Sequence, residues 1–175
     1  NHIGTPKQFT ANFGFPSPPK SDYRYNPRLG GGACLDAGVY TIHSARHFFK
    51  SEPKNVYSTL FINESKVDTN GSALLNFGNG ESALLSFGFN YHYRNTYMIW
   101  GTEGSITVKR AFSIPDYLKP LILLEKQDSV VEIKCEADNQ FLKQVDYFSD
   151  CIGDETCYEL WRNDSISQFK IIDQI

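Results

Sequence analysis

No part of this 175-residue chain approaches the roughly 18 consecutive apolar residues that a membrane-spanning helix requires, so no such helix is expected. Positive charge is scarce: 17 Lys and Arg stand against 20 Asp and Glu, for a net charge of −3. Binding of nucleic acid or an anionic membrane through bulk charge is therefore not expected. Cysteine is sparse and scattered. Cys34, Cys135, Cys151 and Cys157 form no CxxC pair and no cysteine–histidine cluster with ligand spacing, so no zinc or other metal site is expected. Cys151 and Cys157 meet only if the chain turns back between them, and the cysteines read as small reduced thiols of a cytoplasmic protein. The N-terminus lacks a basic-plus-apolar leader and an initiator methionine. Asn1-His2-Ile3-Gly4 runs straight into a strand-like segment, which reads as a piece of a longer polypeptide.

What is present suits one domain with a real core: 41% of residues are hydrophobic and 14% aromatic. The stretch around which the rest is arranged begins with Gly30-Gly31-Gly32 and continues to Phe49. Three glycines mark a close approach or a sharp turn. Leu35, Val39, Ile42 and Phe49 then recur with helical spacing. On that helix Asp36, Tyr40, His43 and His47 fall at i, i+4, i+7 and i+11, one polar stripe beside the apolar face.

Ahead of the glycines, Lys7 to Phe15 alternates as a strand, and Pro16, Pro18 and Pro19 open an extended loop. Beyond the helix the texture becomes short β runs: Val56–Asn63, Val67–Phe77, Ser82–Asn90, Thr96–Trp100, Ser105–Arg110, Leu121–Glu125 and Val130–Cys135. Asn79-Gly80 is a hairpin signal. No helix separates these strands, so the sheet should be largely antiparallel. Phe141, Val145, Phe148 and Ile152 are spaced as the buried face of a helix ending at Gly153, and Asp164 or Ser165 reads as the cap of a last helix. The fold class is α+β, an open and mostly antiparallel sheet with helices on one face. "ALLNF" and "ALLSF" are apolar on both sides, so the other face is expected to be covered by a second copy.

By spacing alone the stripe admits acid–base work, binding of a polar ligand, or a hydrated helix face. His43 and His47 lack the intervening acid of a metalloprotease helix, and the glycines lack both GxGxxG and Gly-Lys-Ser/Thr. Three glycines before a helix nevertheless offer backbone N–H groups to an oxygen ligand. Asn90-Tyr91-His92-Tyr93-Arg94-Asn95-Thr96-Tyr97 is a second polar-aromatic cluster. As strand, it would point Tyr91, Tyr93 and Tyr97 one way and His92 and Arg94 the other. It reads equally as an exposed hairpin end or as a sugar-binding wall.

The string "YRYNPRLGGGACLDAGVYTIHSARHFF" resembles the substrate-domain signature of the glucose–fructose oxidoreductase/inositol dehydrogenase/MocA family. The likeness continues through "LLNFGNGESALLSFGF", "YRNTYMIWGTEGSI", "DNQFLKQVDYFSDCI" and "SISQFKIIDQI", and so covers nearly the whole chain. It implies a C-terminal domain of the dihydrodipicolinate-reductase-like kind, residues 1–175. The preceding Rossmann domain, with its GxGxxG loop and the lysine of a Glu-Lys-Pro segment, would bind NAD or NADP. This chain would then contribute no cofactor-binding residue. Tyr40 matches the family's His or Tyr proton donor or acceptor, and Asp36 its acidic partner. Arg24, just before the glycines, and His43, on the stripe, are offered as substrate contacts, and Tyr91 and Tyr93 join them through the sugar-wall reading of their cluster. The chemistry needs such groups because hydride transfer to a ketone develops alkoxide charge that a positioned acid must neutralise. Asn26 departs from the family's common Asp, and Tyr40 in place of His leans toward sugar-nucleotide ketoreductases and dihydrodiol dehydrogenases. The resemblance therefore implies an NAD(P)-dependent oxidoreductase of a sugar or nucleotide sugar, cytoplasmic and homo-oligomeric. The alternative is a non-catalytic sugar-binding or dimerisation module that kept the sheet.

Overall fold

The structure, a computed structural model, describes residues 2–175. β1 (Pro6–Phe15) leads through two short 3-10 turns (Tyr23–Tyr25 and Pro27–Leu29) and a π turn (Cys34–Gly38) into α1 (Val39–Phe49). Seven strands follow: β2 (Asn55–Ile62), β3 (Asp68–Gly78), β4 (Glu81–Phe89), β5 (Arg94–Gly101), β6 (Ser105–Lys109), β7 (Leu121–Lys126) and β8 (Ser129–Lys134). α2 (Gln140–Asp150) and α3 (Glu155–Ile172) end the chain.

All eight strands join one sheet, in the order β2-β3-β4-β1-β5-β6-β7-β8. Neighbours are antiparallel except β1 and β4, which run parallel with Phe9 opposite Ala83 and Phe13 opposite Phe87. The β3–β4 hairpin turns at Asn79 and Gly80, both at positive φ (56° and 76°), as a two-residue turn matched to strand twist requires.

Alternation along the central strands divides the sheet into two unlike faces. Phe9, Ala11 and Phe13 of β1, Ala73, Leu75 and Phe77 of β3, and Ala83, Leu85, Phe87 and Phe89 of β4 are buried under α1. The π turn meets them with Ala37, and the helix with Ile42 and Ala45. At Gly38 the backbone comes so near that an added Cβ would lie 3.2 Å from the Phe87 ring. Fully burying a side chain such as Phe87 contributes on the order of 1.5–3 kcal/mol, which explains why the core gathers here. On the other face Tyr57, Phe61, Leu74, Leu84 and Trp100 are exposed, so the two-sided apolar strands do leave one side uncovered.

Two expectations fail at the helices and one in the strands. α3 begins at Glu155, not near Asp164, because the Asp154 carboxylate accepts the N–H groups of Thr156 and Cys157 and caps the helix well before Asp164 or Ser165. Asp164 is mid-helix and pairs with Arg46 instead. α2 ends at Asp150 rather than Gly153, so Ile152 lies beyond it; Phe141, Val145 and Phe148 keep helical spacing within it, but all four are exposed, and no residue of α2 is buried. Only the C-terminal end of α3 reaches the core, through Ile171 and Ile172, while Ile166 and Phe169 stay exposed. The segment from Tyr91 to Tyr93 is not strand, since β4 ends at Phe89 and β5 begins at Arg94.

Candidate active site

The glycine run is where the Tyr23–Leu29 loop is pressed against the start of the helix. An added Cβ on Gly31 would fall 2.6 Å from the Arg24 carbonyl oxygen and 2.8 Å from that of Asn26, so no side chain fits. Two of the three glycine N–H groups are consumed internally. Gly31 donates to Asn26 O at 3.0 Å, and Gly32 to Arg24 O at 3.0 Å. Cys34 donates to Asp68 Oδ2 at 2.6 Å. The idea of free glycine N–H groups waiting for an oxygen ligand is therefore corrected, and the reason is that loop carbonyls and a carboxylate from β3 already fill the role. Burial raises the Asp68 carboxyl above its usual range, more than the main-chain donors of Cys34 and Ala33 lower it. Burial, reinforced by the Asp68 charge, pushes the neighbouring Cys34 thiol up to about 12, which leaves it inert.

The first helical turn is wide. Val39 N–H bonds to Cys34 O, an i→i+5 closure that shifts the phase of everything after it. Asp36 consequently faces the loop, with Tyr23 Oη donating to its Oδ1 at 3.3 Å and Arg24 Nε 2.9 Å from its Oδ2. The Arg24 Nε–H is not aimed along that line and meets no hydrogen-bond acceptor among the described residues, so this contact is one of charge. Asp36 nonetheless raises the Arg24 guanidinium above its ordinary pKa. Arg24 also bonds Asp22 at 3.2 Å and lies 4.7 Å over the Tyr23 ring. Tyr23 is raised by partial burial first and by the Asp36 charge next.

Tyr40 turns the other way, into an aromatic cradle. Its ring meets Phe13 edge-on at 5.5 Å and lies 6.3 Å from Phe112. It is 47% exposed, and its hydroxyl has no hydrogen-bond partner among the described residues. Phe112 is held in place by Asn95, an amide only 2% exposed. Asn95 Oδ1 accepts the Phe112 N–H at 2.7 Å, and its Nδ2 donates to Ser113 O at 2.9 Å and to Tyr93 Oη at 3.1 Å. Tyr93 therefore belongs to the wall beside Tyr40, with Arg110 4.4 Å over its ring.

The remaining candidates separate. His43 lies one turn beyond Tyr40, its Nδ1 3.6 Å from Asp164 Oδ2 and its ring stacked on His47 at 6.1 Å. Burial, then the Arg46 and His47 charges, lower its pKa against the opposing pull of Asp164. Arg46, beneath it, locks α1 to α3 through Gln168 (2.9 Å) and Asp164 (3.0 Å) and also bonds Glu52, just past the end of α1 (2.7 and 2.8 Å). Tyr91 is on the wrong side of the sheet for a shared site. Its ring covers Gly14 and Gly88, where added Cβ atoms would stand 2.7 and 2.8 Å from it, on the face opposite Phe13, Phe87 and the helix. The glycine pair draws it there, a cue that needs the β1–β4 pairing to be seen. No group of three or more metal-ligating side chains occurs among the described residues.

The sequence reading missed Asp68, Asn95, Phe13 and Phe112. Only Asn95 carried a local signal, a polar residue in phase with Tyr97 and Ile99 on the inward side of β5. The others depend on contacts between distant segments.

The glycine-led helix thus crosses the sheet with the Asp36–Arg24 pair turned toward the loop and the Tyr40 phenol turned toward Phe13 and Phe112. Residues 1–107 match the GFO/IDH/MocA C-terminal domain, and the chain belongs to that family. A dTDP-3,4-didehydro-2,6-dideoxy-alpha-D-glucose 3-reductase of Saccharopolyspora spinosa is 43% identical over 149 residues, 84% of this chain and 45% of that protein. The reductase of the same name from Actinomadura kijaniata is 32% identical over 174 residues, 99% of this chain and 52% of that protein. KijD10, a 3-ketoreductase from Actinomadura kijaniata in complex with NADP and TDP-benzene, superposes with a TM-score of 0.88 at 31% identity, over 99% of this chain and 54% of that one. The chain thus spans about half the length of the curated relatives it matches.

Proposed function

We propose that this chain is the substrate-side domain of an NADP-dependent reductase of a dTDP-linked keto-deoxysugar, in which Tyr40 delivers the proton. The observation that carries this reading is the Tyr40 phenol, held by Phe13 and Phe112 yet open to solvent with no internal hydrogen-bond partner. Aromatic packing fixes the ring while leaving the hydroxyl free for a substrate oxygen. The identity to dTDP-sugar 3-reductases supports the substrate class. A phenol titrates near 10 in water, so this residue type suits donation to the alkoxide formed when a ketone is reduced.

The nicotinamide cofactor is assigned to the part of the intact protein outside these residues. The present residues do not fit a dinucleotide: the Gly31 and Gly32 N–H groups are occupied, and the sequence holds no GxGxxG. Asp36 and Arg24 act as a charged clamp at the rim that orients the polar part of the substrate, and Tyr23 steadies the clamp. His43 and Tyr93 flank Tyr40 along α1 and along the Phe112 wall, and are proposed as secondary contacts. The uncovered sheet face, carrying Leu84 and Trp100, is proposed to pair with a second copy.

The test is steady-state reduction of a dTDP-linked 3-ketosugar by the intact protein, followed by NADPH consumption. Tyr40→Phe should lower kcat by roughly 10²–10⁴-fold with little change in substrate affinity. A kcat equal to that of the unmodified enzyme refutes the role of Tyr40. No turnover of any dTDP-ketosugar by the unmodified protein refutes the substrate class.

A further inference from the structure

We propose that Cys151 and Cys157 are a reversible dithiol–disulfide pair that staples α2 to α3. The sulfurs stand 2.6 Å apart, with Cys157 donating toward Cys151. Bond formation at about 2.05 Å therefore needs only about half an ångström of further approach. The chain between them is built to keep them there. Cys151 caps α2, with its N–H shared among the last carbonyls of that helix. Gly153 reverses the chain at a φ of 85°, a conformation open to glycine without strain. Asp154 closes the turn by donating its N–H to Cys151 O at 3.0 Å and by capping α3, which sets Cys157 in the first turn of that helix.

The pair sits where a covalent link has something to hold. No residue of α2 is buried, and its ring contacts with α3 run through Trp161, at 5.6 Å from Phe148 and 5.8 Å from Tyr147. The other two cysteines have no comparable partner: Cys34 is buried beside Asp68, and Cys135 follows β8.

The oxidant is a low-molecular-weight disulfide such as oxidised glutathione. Cys157 is the more exposed sulfur; its hydrogen bond with Cys151, with burial and the Asp154 charge, pushes the thiol up to about 12, so it attacks through a small thiolate fraction that grows with pH, breaks the glutathione S–S bond and releases one glutathione thiol. Cys151, only 4% exposed, then attacks the mixed disulfide and releases the second. Two protein thiols are oxidised, one glutathione disulfide is reduced to two thiols, and the two protons pass to the leaving glutathione sulfurs.

The experiment equilibrates the intact protein across a series of reduced-to-oxidised glutathione ratios, quenches with acid, alkylates free thiols and maps peptides by mass spectrometry. Cys151 and Cys157 are expected to lose alkylation together, giving a linked peptide two hydrogens lighter, while Cys34 remains alkylated. Amide exchange in α2 should slow on oxidation. In Cys151→Ser, Cys157 should accumulate as the glutathione adduct that the unmodified protein resolves. Full alkylation of both residues in excess oxidised glutathione, or two separate glutathione adducts in the unmodified protein, overturns the proposal.

Discussion

Replacing Asp68 by alanine is expected to destabilise the protein by about 2 kcal/mol, because it removes the remote acceptor that starts the central helix. The Cys34 N–H reaches Asp68 Oδ2 at 2.6 Å across 34 residues of sequence, and α1 has no side-chain cap of its own. Leaving that partly buried donor unpaired costs roughly 1–3 kcal/mol. An opposing effect is the expense of keeping a carboxylate out of water, which raises the Asp68 carboxyl in the folded protein. A raised value means that the group's favourable contribution is complete below the unfolded carboxylate range and is lost as pH rises through the folded value. Asp68→Asn keeps an acceptor without the charge, so at neutral pH it should lie within about 1 kcal/mol of the unmodified protein. The unmodified protein should lose ground to Asp68→Asn as pH rises above the ordinary carboxylate range near about 4. Urea unfolding of the intact protein at several pH values measures all three. A loss below about 0.5 kcal/mol for the alanine variant, or an asparagine variant as unstable as the alanine one, would refute this account of the helix start.

Asn95→Ala should cost about 2–4 kcal/mol in urea unfolding, since it strands the Phe112 N–H and the Ser113 carbonyl inside the fold. The released Phe112 should weaken substrate binding more than turnover, read as a rise in KM. Leu84→Arg tests the proposed pairing of the open sheet face: the unmodified protein should have the mass of a dimer or larger in light scattering and the variant that of a monomer, because the pairing would bury an unpaired charge. His43 is lowered by burial first, so the stability linked to its neutral form is present above the unfolded value and is lost as pH falls through the folded one. Urea midpoints should therefore drop on acidification below about pH 6.5, and His43→Gln should flatten that dependence.

Much of the fold was legible in the chain because strand and hairpin signals are local. The runs Val67–Phe77 and Ser82–Asn90 around Asn79-Gly80 correspond to β3 and β4 within about a residue or two, and both turn residues take the left-handed conformation. The uncovered apolar face was equally readable from Leu74 and Leu84, out of phase with Leu75 and Leu85. The last helix was misplaced because Asp154 and Asp164 are equally good caps on paper. Asp164 is drawn into a buried pairing with Arg46 that no local pattern reveals. α2 was read as a buried helix because its apolar spacing is sound, but spacing cannot say whether anything packs on it.

The sequence by itself determined the α+β class, the family, the glycine-led helix and the presence of Asp36 and Tyr40 upon it. These follow from periodicity, turn chemistry and motif, which are properties of neighbouring residues. Tertiary structure alone decided which way those side chains face. The i→i+5 turn sends Asp36 to Arg24 and Tyr23, while Tyr40 meets Phe13 and Phe112. It also placed β1 between β4 and β5, which puts Tyr91 behind the sheet and Tyr93 beside the site. The physical reason is that a face of a helix or sheet is defined only once another element packs on it, and the elements that pack here come from opposite ends of the chain.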